Sequence, residues 1–202
     1  MGSRGDFAQI IAGEALLAKY LEEVSQYYDS VLIQPIATGD EYRIFLLDDD
    51  VVYCARKHPP SLVGDGVSTI RDLLARHDAM LQSRGLSSAA IATDNEGTLN
   101  VVLPNGERSA IPGRMNLSAG GTMVLEPAPA ESAVAAPARR AVKALGLRVA
   151  AVDLFTDIEG EPDAMRVIEV NSNPSIRLLE QSNRGDLILK IWHHTFAAMG
   201  LI

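Results

Sequence analysis

The chain has 202 residues, long enough to bury a sizeable core, and its 47% hydrophobic and 22% charged residues are the balance of a globular protein. A net charge of −8 argues against a duplex nucleic acid partner, which needs a basic face to displace counterions, but leaves nucleotides open, because those are held by a few local cations, amides and a metal. No apolar run approaches the roughly 20 residues of a membrane helix, the N-terminus lacks a secretory layout, and the lone Cys54 excludes an internal disulfide, so a reducing cytoplasm is the expected compartment.

Met1 to Asp6 is a glycine-rich turn with no strand before it, and a helix follows with Leu16, Leu17, Tyr20, Leu21, Val24 and Tyr28 at helical spacing. Val31 to Ile36 reads as a buried strand ending at a proline, where a ladder stops. Residues 39–47 and 51–56 flank Asp48, Asp49 and Asp50 as the arms of a hairpin, and the apolar run around Cys54 makes that thiol a structural one. Gly64-Asp-Gly66 turns into a helix capped by Ser68, with Ile70, Leu73, Leu74, His77 and Leu81 on one face and a stop near Gly85.

Residues 91–111 read as short strands around the turns Asp94 to Gly97 and Pro104 to Glu107. A helix is expected over 133–145, with Pro137 tolerable in its first turn and Gly146 as its stop. Residues 149–155 and 165–171 form a second hairpin. The last helix starts near Asp186 and is expected to bury Leu187, Ile188, Ile191, Trp192, Thr195 and Met199. This order describes an α+β fold, a mainly antiparallel sheet with packed helices.

The second hairpin carries the strongest chemical pattern. Pairing symmetric about residue 161 sets Asp153 opposite Glu169, and a period of two puts Asn171 on the same face as Glu169. Two carboxylates and an amide oxygen are hard ligands of the kind Mg²⁺ takes, alongside water and substrate phosphate. Glu41 and Arg43 likewise share a face of the first hairpin, Arg56 and Lys57 end its second arm, and Asn116 to Thr122 offers amides suited to an anion nest. Solvated acids and ordinary surface cations are the competing reading of each piece taken alone. His58, His77, His193 and His194 are scattered over loops and helices and read as structural or solvated.

Taken in order, these pieces resemble the ATP-grasp superfamily, in particular ribosomal-protein glutamate ligases, cyanophycin synthetases and glutathione synthetases. The matching stretches are Gly2 to Gly5, Leu32 to Arg43, Val63 to Gly66, Asn116 to Gly121, and Ala151 to Asp153 with Ile168 to Pro174. The resemblance implies a carboxylate–amine ligase that uses ATP and Mg²⁺, with Mn²⁺ as an alternative, and joins a small-molecule or peptide carboxylate to an amine through an acyl-phosphate. It implies that Gly2, Ser3, Arg4 and Gly5 form the loop closing over the nucleotide. Gln34, Pro35 and Ala37 would lie against adenine, and Glu41 would hold the ribose. Arg43, Arg56 and Lys57, with Asn116, would serve the phosphates and acyl-phosphate, while Asp153, Glu169 and Asn171 would hold the metal.

On this view residues 1–38 are the remnant of a central ATP-grasp subdomain and 39–202 are the C-terminal ATP-grasp subdomain. Two nucleotide lysines and a substrate domain that relatives carry upstream are absent, so a fragment is expected, and activity of these residues alone is in doubt. Relatives also have Pro-Gly where this chain has Pro174-Ser175. The alternative is a non-catalytic nucleotide-binding or interaction module of the same fold. No nucleic acid or membrane partner is expected, and homo-oligomerisation stays open.

Overall fold

The two expected hairpins lie side by side in one sheet. The computed structural model describes residues 11, 13–85, 96–111, 120–126, 134–161 and 164–202. In chain order its elements are α1 (Glu14–Val24), β1 (Asp40–Leu47), β2 (Asp50–His58), β3 (Ser61–Val63), α2 (Ile70–Ser83), α3 (Glu96–Leu99), β4 (Arg108–Ala110), β5 (Thr122–Glu126), α4 (Ala135–Ala144), β6 (Val149–Thr156), β7 (Arg166–Asn171), α5 (Arg177–Gln181) and α6 (Gly185–Ala198). Contacts divide the chain into two units, residues 1–36 with 58–122, and residues 37–57 with 123–202. Among the described residues no helix is long and apolar enough to cross a membrane.

The second unit is built on a five-stranded sheet in the order β5-β2-β1-β6-β7, antiparallel through β2, β1, β6 and β7. Alternation along the strands sends Ile44, Leu46, Cys54, Ala150, Val152 and Leu154 to one face, where α4 covers them with Val134, Ala138 and Val142. It sends Phe45, Leu47, Tyr53, Ala55 and Ala151 to the other, beneath Leu178 and Leu179 of α5 and Ile191 of α6. Each fully buried Ile or Leu here contributes about 1.5–3 kcal/mol. Both faces are therefore committed to packing over most of the sheet, and Pro137 falls in the first turn of α4 as its missing amide requires.

Gly39 fixes the entry to β1. Its φ of +139° suits glycine, and a Cβ there would lie 2.2 Å from the carbonyl oxygen of Thr156 at the end of β6. The first unit packs Leu62, Leu73, Leu103 and Ile111 between the β3–β4 pair and α2. Gly64 there approaches the chain so closely that a Cβ would meet Pro104 O at 2.2 Å.

Several expectations are corrected. Residues 31–38 carry no regular structure, and Leu32 and Ile33 are exposed; an apolar run becomes a strand only with a ladder partner, and none pairs with it among the described residues. Thr69, not Ser68, caps α2 through a capping box with Asp72, while Ser68 bonds Asp65. Residues 96–99 form a short helix where the end of a turn and the start of a strand were expected, and Tyr28 lies beyond the end of α1. Trp192 and Met199 are exposed; Trp192 instead stacks on Phe196 one turn along α6, at 5.6 Å between rings.

Candidate functional site

The pairing register draws two rows across four strands on the face shared with α5 and α6. One row is Ala55 (β2), Arg43 (β1), Asp153 (β6) and Glu169 (β7); the next is Tyr53, Phe45, Ala151 and Asn171. The expected opposition of Asp153 and Glu169 is present. Symmetry about residue 161 holds from there towards Ala151 and Asn171, then breaks at a register shift between Asp153 and Leu154, which leaves Ile168 unpaired in β7. Along this face, the apolar residues under α5 and α6 give way to charged ones.

The charged end is a closed cluster. Arg43 donates from Nε to Asp153 Oδ1 and from Nη2 to Asp153 Oδ2, both at 2.7 Å, the planar fork that matches a carboxylate. Lys57 Nζ donates to Asp153 Oδ2 at 3.0 Å and also to Glu41. Glu41, Lys57 and Asp153 are buried, Asp153 with only 3% of its surface exposed. Burial alone would push the Asp153 carboxyl up, but the bonds and charges of Arg43 and Lys57 outweigh it and hold the carboxyl below its ordinary range. The same fork raises the Arg43 guanidinium.

Glu169 and Asn171 complete the set on β7. Glu169 is exposed and makes no ion pair among the described residues, and Asn171 buries an Nδ2 that has no hydrogen-bond partner. The two ends of an amide exchange on a half-turn, so Asn171 can present an oxygen where its nitrogen lies. Among the described residues no three His, Cys, Asp or Glu side chains converge as a metal site, so an Mg²⁺-type donor set here depends on that amide beside the two carboxylates. With the orphaned amide next to the carboxylate pair, the donor set fits such a cation.

Other candidates fall elsewhere. Arg56 lies on the opposite face from Lys57, as its neighbouring position in β2 requires; it pairs with Asp40 at 2.5 Å and sits over the Tyr42 ring, 6.0 Å from its centre. Gln34 and Pro35 belong to the first unit, where they are exposed in the stretch without regular structure, and Ala37 is half-buried in the second. Gly2, Ser3, Arg4, Gly5 and Asn116 lie outside the described residues. Cys54 is buried on the α4 face, and burial pushes its thiol up to about 12, which fits a structural role.

Sequence reasoning missed two features of the site. It treated Lys57 as a neighbour of Arg56, whereas Lys57 joins Glu41 to Asp153; the signal was its spacing of two from Ala55, which stands opposite Arg43. It also passed over Tyr53, whose hydroxyl is buried on the same face without a partner. A groove lined by Asp48, Arg148, Lys190, His193 and His194 lies at the far, turn end of the β1–β2 hairpin and is separate from the cluster. Its Asp48 is engaged by Arg148 at 2.8 and 3.0 Å and by His194 at 2.6 Å.

By sequence the chain resembles the ATP-grasp ligases. Over 198 residues, 90% of its length, it is 29% identical to the cyanophycin synthetase of Trichormus variabilis. Over 169 residues, 74% of its length, it is 30% identical to the glutathione biosynthesis bifunctional protein GshAB of Clostridium perfringens. It spans only 22% and 21% of these two relatives. No family model matches the sequence. Among solved structures, a bifunctional glutathione synthetase from Pasteurella multocida aligns over 86% of this chain and 27% of its own, with 21% identity and a TM-score of 0.47. The ATP-grasp ligase PsnB, solved with Mg and ADP, aligns over 73% of this chain and 29% of its own, with 19% identity and a TM-score of 0.35. The resemblance therefore rests on sequence.

Proposed function

We propose that the chain is the ATP-binding part of a carboxylate–amine ligase. The observation that carries this reading is the row across β1, β6 and β7, where Arg43, Asp153 and Glu169 stand side by side on one face, with Asn171 in the adjacent row and Lys57 bonded to Asp153. Phosphoryl transfer needs positioning and charge neutralisation more than a protein nucleophile, and this face offers donors for a divalent cation beside cations for phosphate. Asp153, Glu169 and Asn171 would hold Mg²⁺, which supplies charge neutralisation at the phosphates. Arg43 and Lys57 would orient the γ-phosphate, and Glu41 would accept from the ribose hydroxyls. Roles for Gln34, Pro35 and Ala37 at the adenine, for Gly2 to Gly5 and Asn116 as loops, and for Arg56 rest on the resemblance alone, as does the division at residues 38 and 39.

In the reaction so assigned, a substrate carboxylate oxygen attacks the γ-phosphorus and ADP leaves. The amine nitrogen then attacks the acyl carbon, phosphate leaves, and the amine proton passes to solvent. The test is Mg²⁺-dependent binding of ATP, and release of ADP when carboxylates and amines of the kinds the relatives' names suggest are supplied to the full-length protein. Absence of nucleotide binding sinks the reading. The closed state of the cluster favours a second reading, a module that binds nucleotide without turnover, because every charge in it already has a partner. Binding without ADP release from any carboxylate and amine pair would select it.

A further inference from the structure

We infer that the Arg43–Asp153–Lys57–Glu41 cluster is an exchange lock: its charges neutralise one another until a divalent cation and a phosphate anion arrive together, so that neither binds well alone. The inference deepens the nucleotide reading above and rests on it. Two cations and two carboxylates make a unit of zero net charge, and three of the four side chains are buried. A cation that arrived alone and took Asp153 would strand Arg43 and leave Lys57, still bonded to Glu41, beside a new positive charge. A phosphate that arrived alone and took Arg43 and Lys57 would strand the carboxylate of Asp153 in its buried position, next to an anion. The first intermediate leaves the part-buried Arg43 without a partner and the second leaves the buried Asp153 without one, and both states are unfavourable.

When both arrive, the pairs are exchanged rather than broken. Asp153 passes from the cations to the metal, and Arg43 and Lys57 pass from Asp153 to phosphate. Lys57 is the joint of the lock, because it bonds both carboxylates and keeps Glu41 when it releases Asp153. The remaining metal donors need no release: Glu169 has no ion pair among the described residues, and the buried Asn171 amide nitrogen has no partner. Linkage then requires the coupling to be reciprocal, with nucleotide raising metal affinity by the factor by which metal raises nucleotide affinity.

The test uses Mn²⁺ as the probe, read by electron spin resonance and water proton relaxation on the full-length protein, with and without ADP. The lock predicts that Mn²⁺ alone binds the wild type weakly, and that Lys57→Met, which removes one of the two donors to Asp153 Oδ2 together with its positive charge, binds Mn²⁺ alone about tenfold or more tighter, the scale of one charge-assisted hydrogen bond. In the same variant the affinity for ADP in the presence of Mn²⁺ falls. Opposite signs for metal and nucleotide are the signature. If Lys57→Met lacks the native circular dichroism spectrum, Lys57→Met with Glu41→Gln, which removes the facing charge as well, carries the same expectation. A wild type that forms the Mn²⁺–ADP complex while the variants bind Mn²⁺ no tighter overturns the lock and leaves the nucleotide reading standing. Failure of all three proteins to take up Mn²⁺ with or without ADP overturns both.

Discussion

Replacing Asp153 by alanine removes the carboxylate that two cations share and leaves their charges facing each other. Lys57 stays paired with Glu41, but Arg43 loses both of its bonds and its part-buried charge is left without a partner, so the cost approaches that of an uncompensated buried charge, about 3–5 kcal/mol. For a chain of this size each kcal/mol lowers the unfolding midpoint by about 2–4 °C, so a shift of about 6–20 °C is expected. Asp153→Asn keeps an acceptor for Arg43 and loses only the ionic part, about 1.5–3 kcal/mol. The chain has one tryptophan, Trp192, on α6 over the same sheet, so its fluorescence reports this unit without interference from the other. The exposed pair of Arg184 with Asp186 is the control, and Asp186→Asn should leave the Trp192 midpoint unmoved. A loss under about 1 kcal/mol for Asp153→Ala, or a larger loss for asparagine than for alanine, would refute the claim that these charges depend on one another.

Three further expectations follow from the same geometry. The Asp153 carboxyl titrates below its ordinary value in the folded state, so its contribution is fully present above the unfolded pKa near 4 and is lost as pH falls through the folded value; the stability gap between wild type and Asp153→Asn, by urea titration, should shrink from about pH 5 downwards. Gly39→Ala should destabilise by more than about 1 kcal/mol by the same measurement, since the added methyl meets the Thr156 carbonyl at a φ foreign to alanine. Cys54 should resist alkylation at pH 8 in the native protein and react fully in denaturant, because burial holds its thiol at about 12; native-state labelling at the denatured rate would overturn its placement under α4.

What was legible in the sequence is what two strands decide between themselves. The hairpin around Asp48 to Asp50 announces itself by its turn residues, and the opposition of Asp153 to Glu169 follows from a period of two and a short polar connection. Residues whose state depends on a third element were not legible. Val31 to Ile36 is as apolar as β6, yet it has no ladder partner among the described residues and its side chains lie exposed. Trp192 shows the same limit, because helical spacing marks a face of α6 but does not say how far the sheet beneath extends.

The site itself was half legible for a related reason. Alternation assigns faces within one hairpin, but which residues of two hairpins meet depends on how β1 pairs with β6, and that register is long-range information. Once β1 and β6 pair with Arg43 opposite Asp153, the rest is forced: Lys57, two residues beyond Ala55, must join the same face, and Arg56 must leave it. A basic tripeptide of Ala55, Arg56 and Lys57 thus divides its two charges between opposite faces of the sheet. One supports Asp40 at the surface; the other enters the buried cluster, where it shares the Asp153 carboxylate with Arg43.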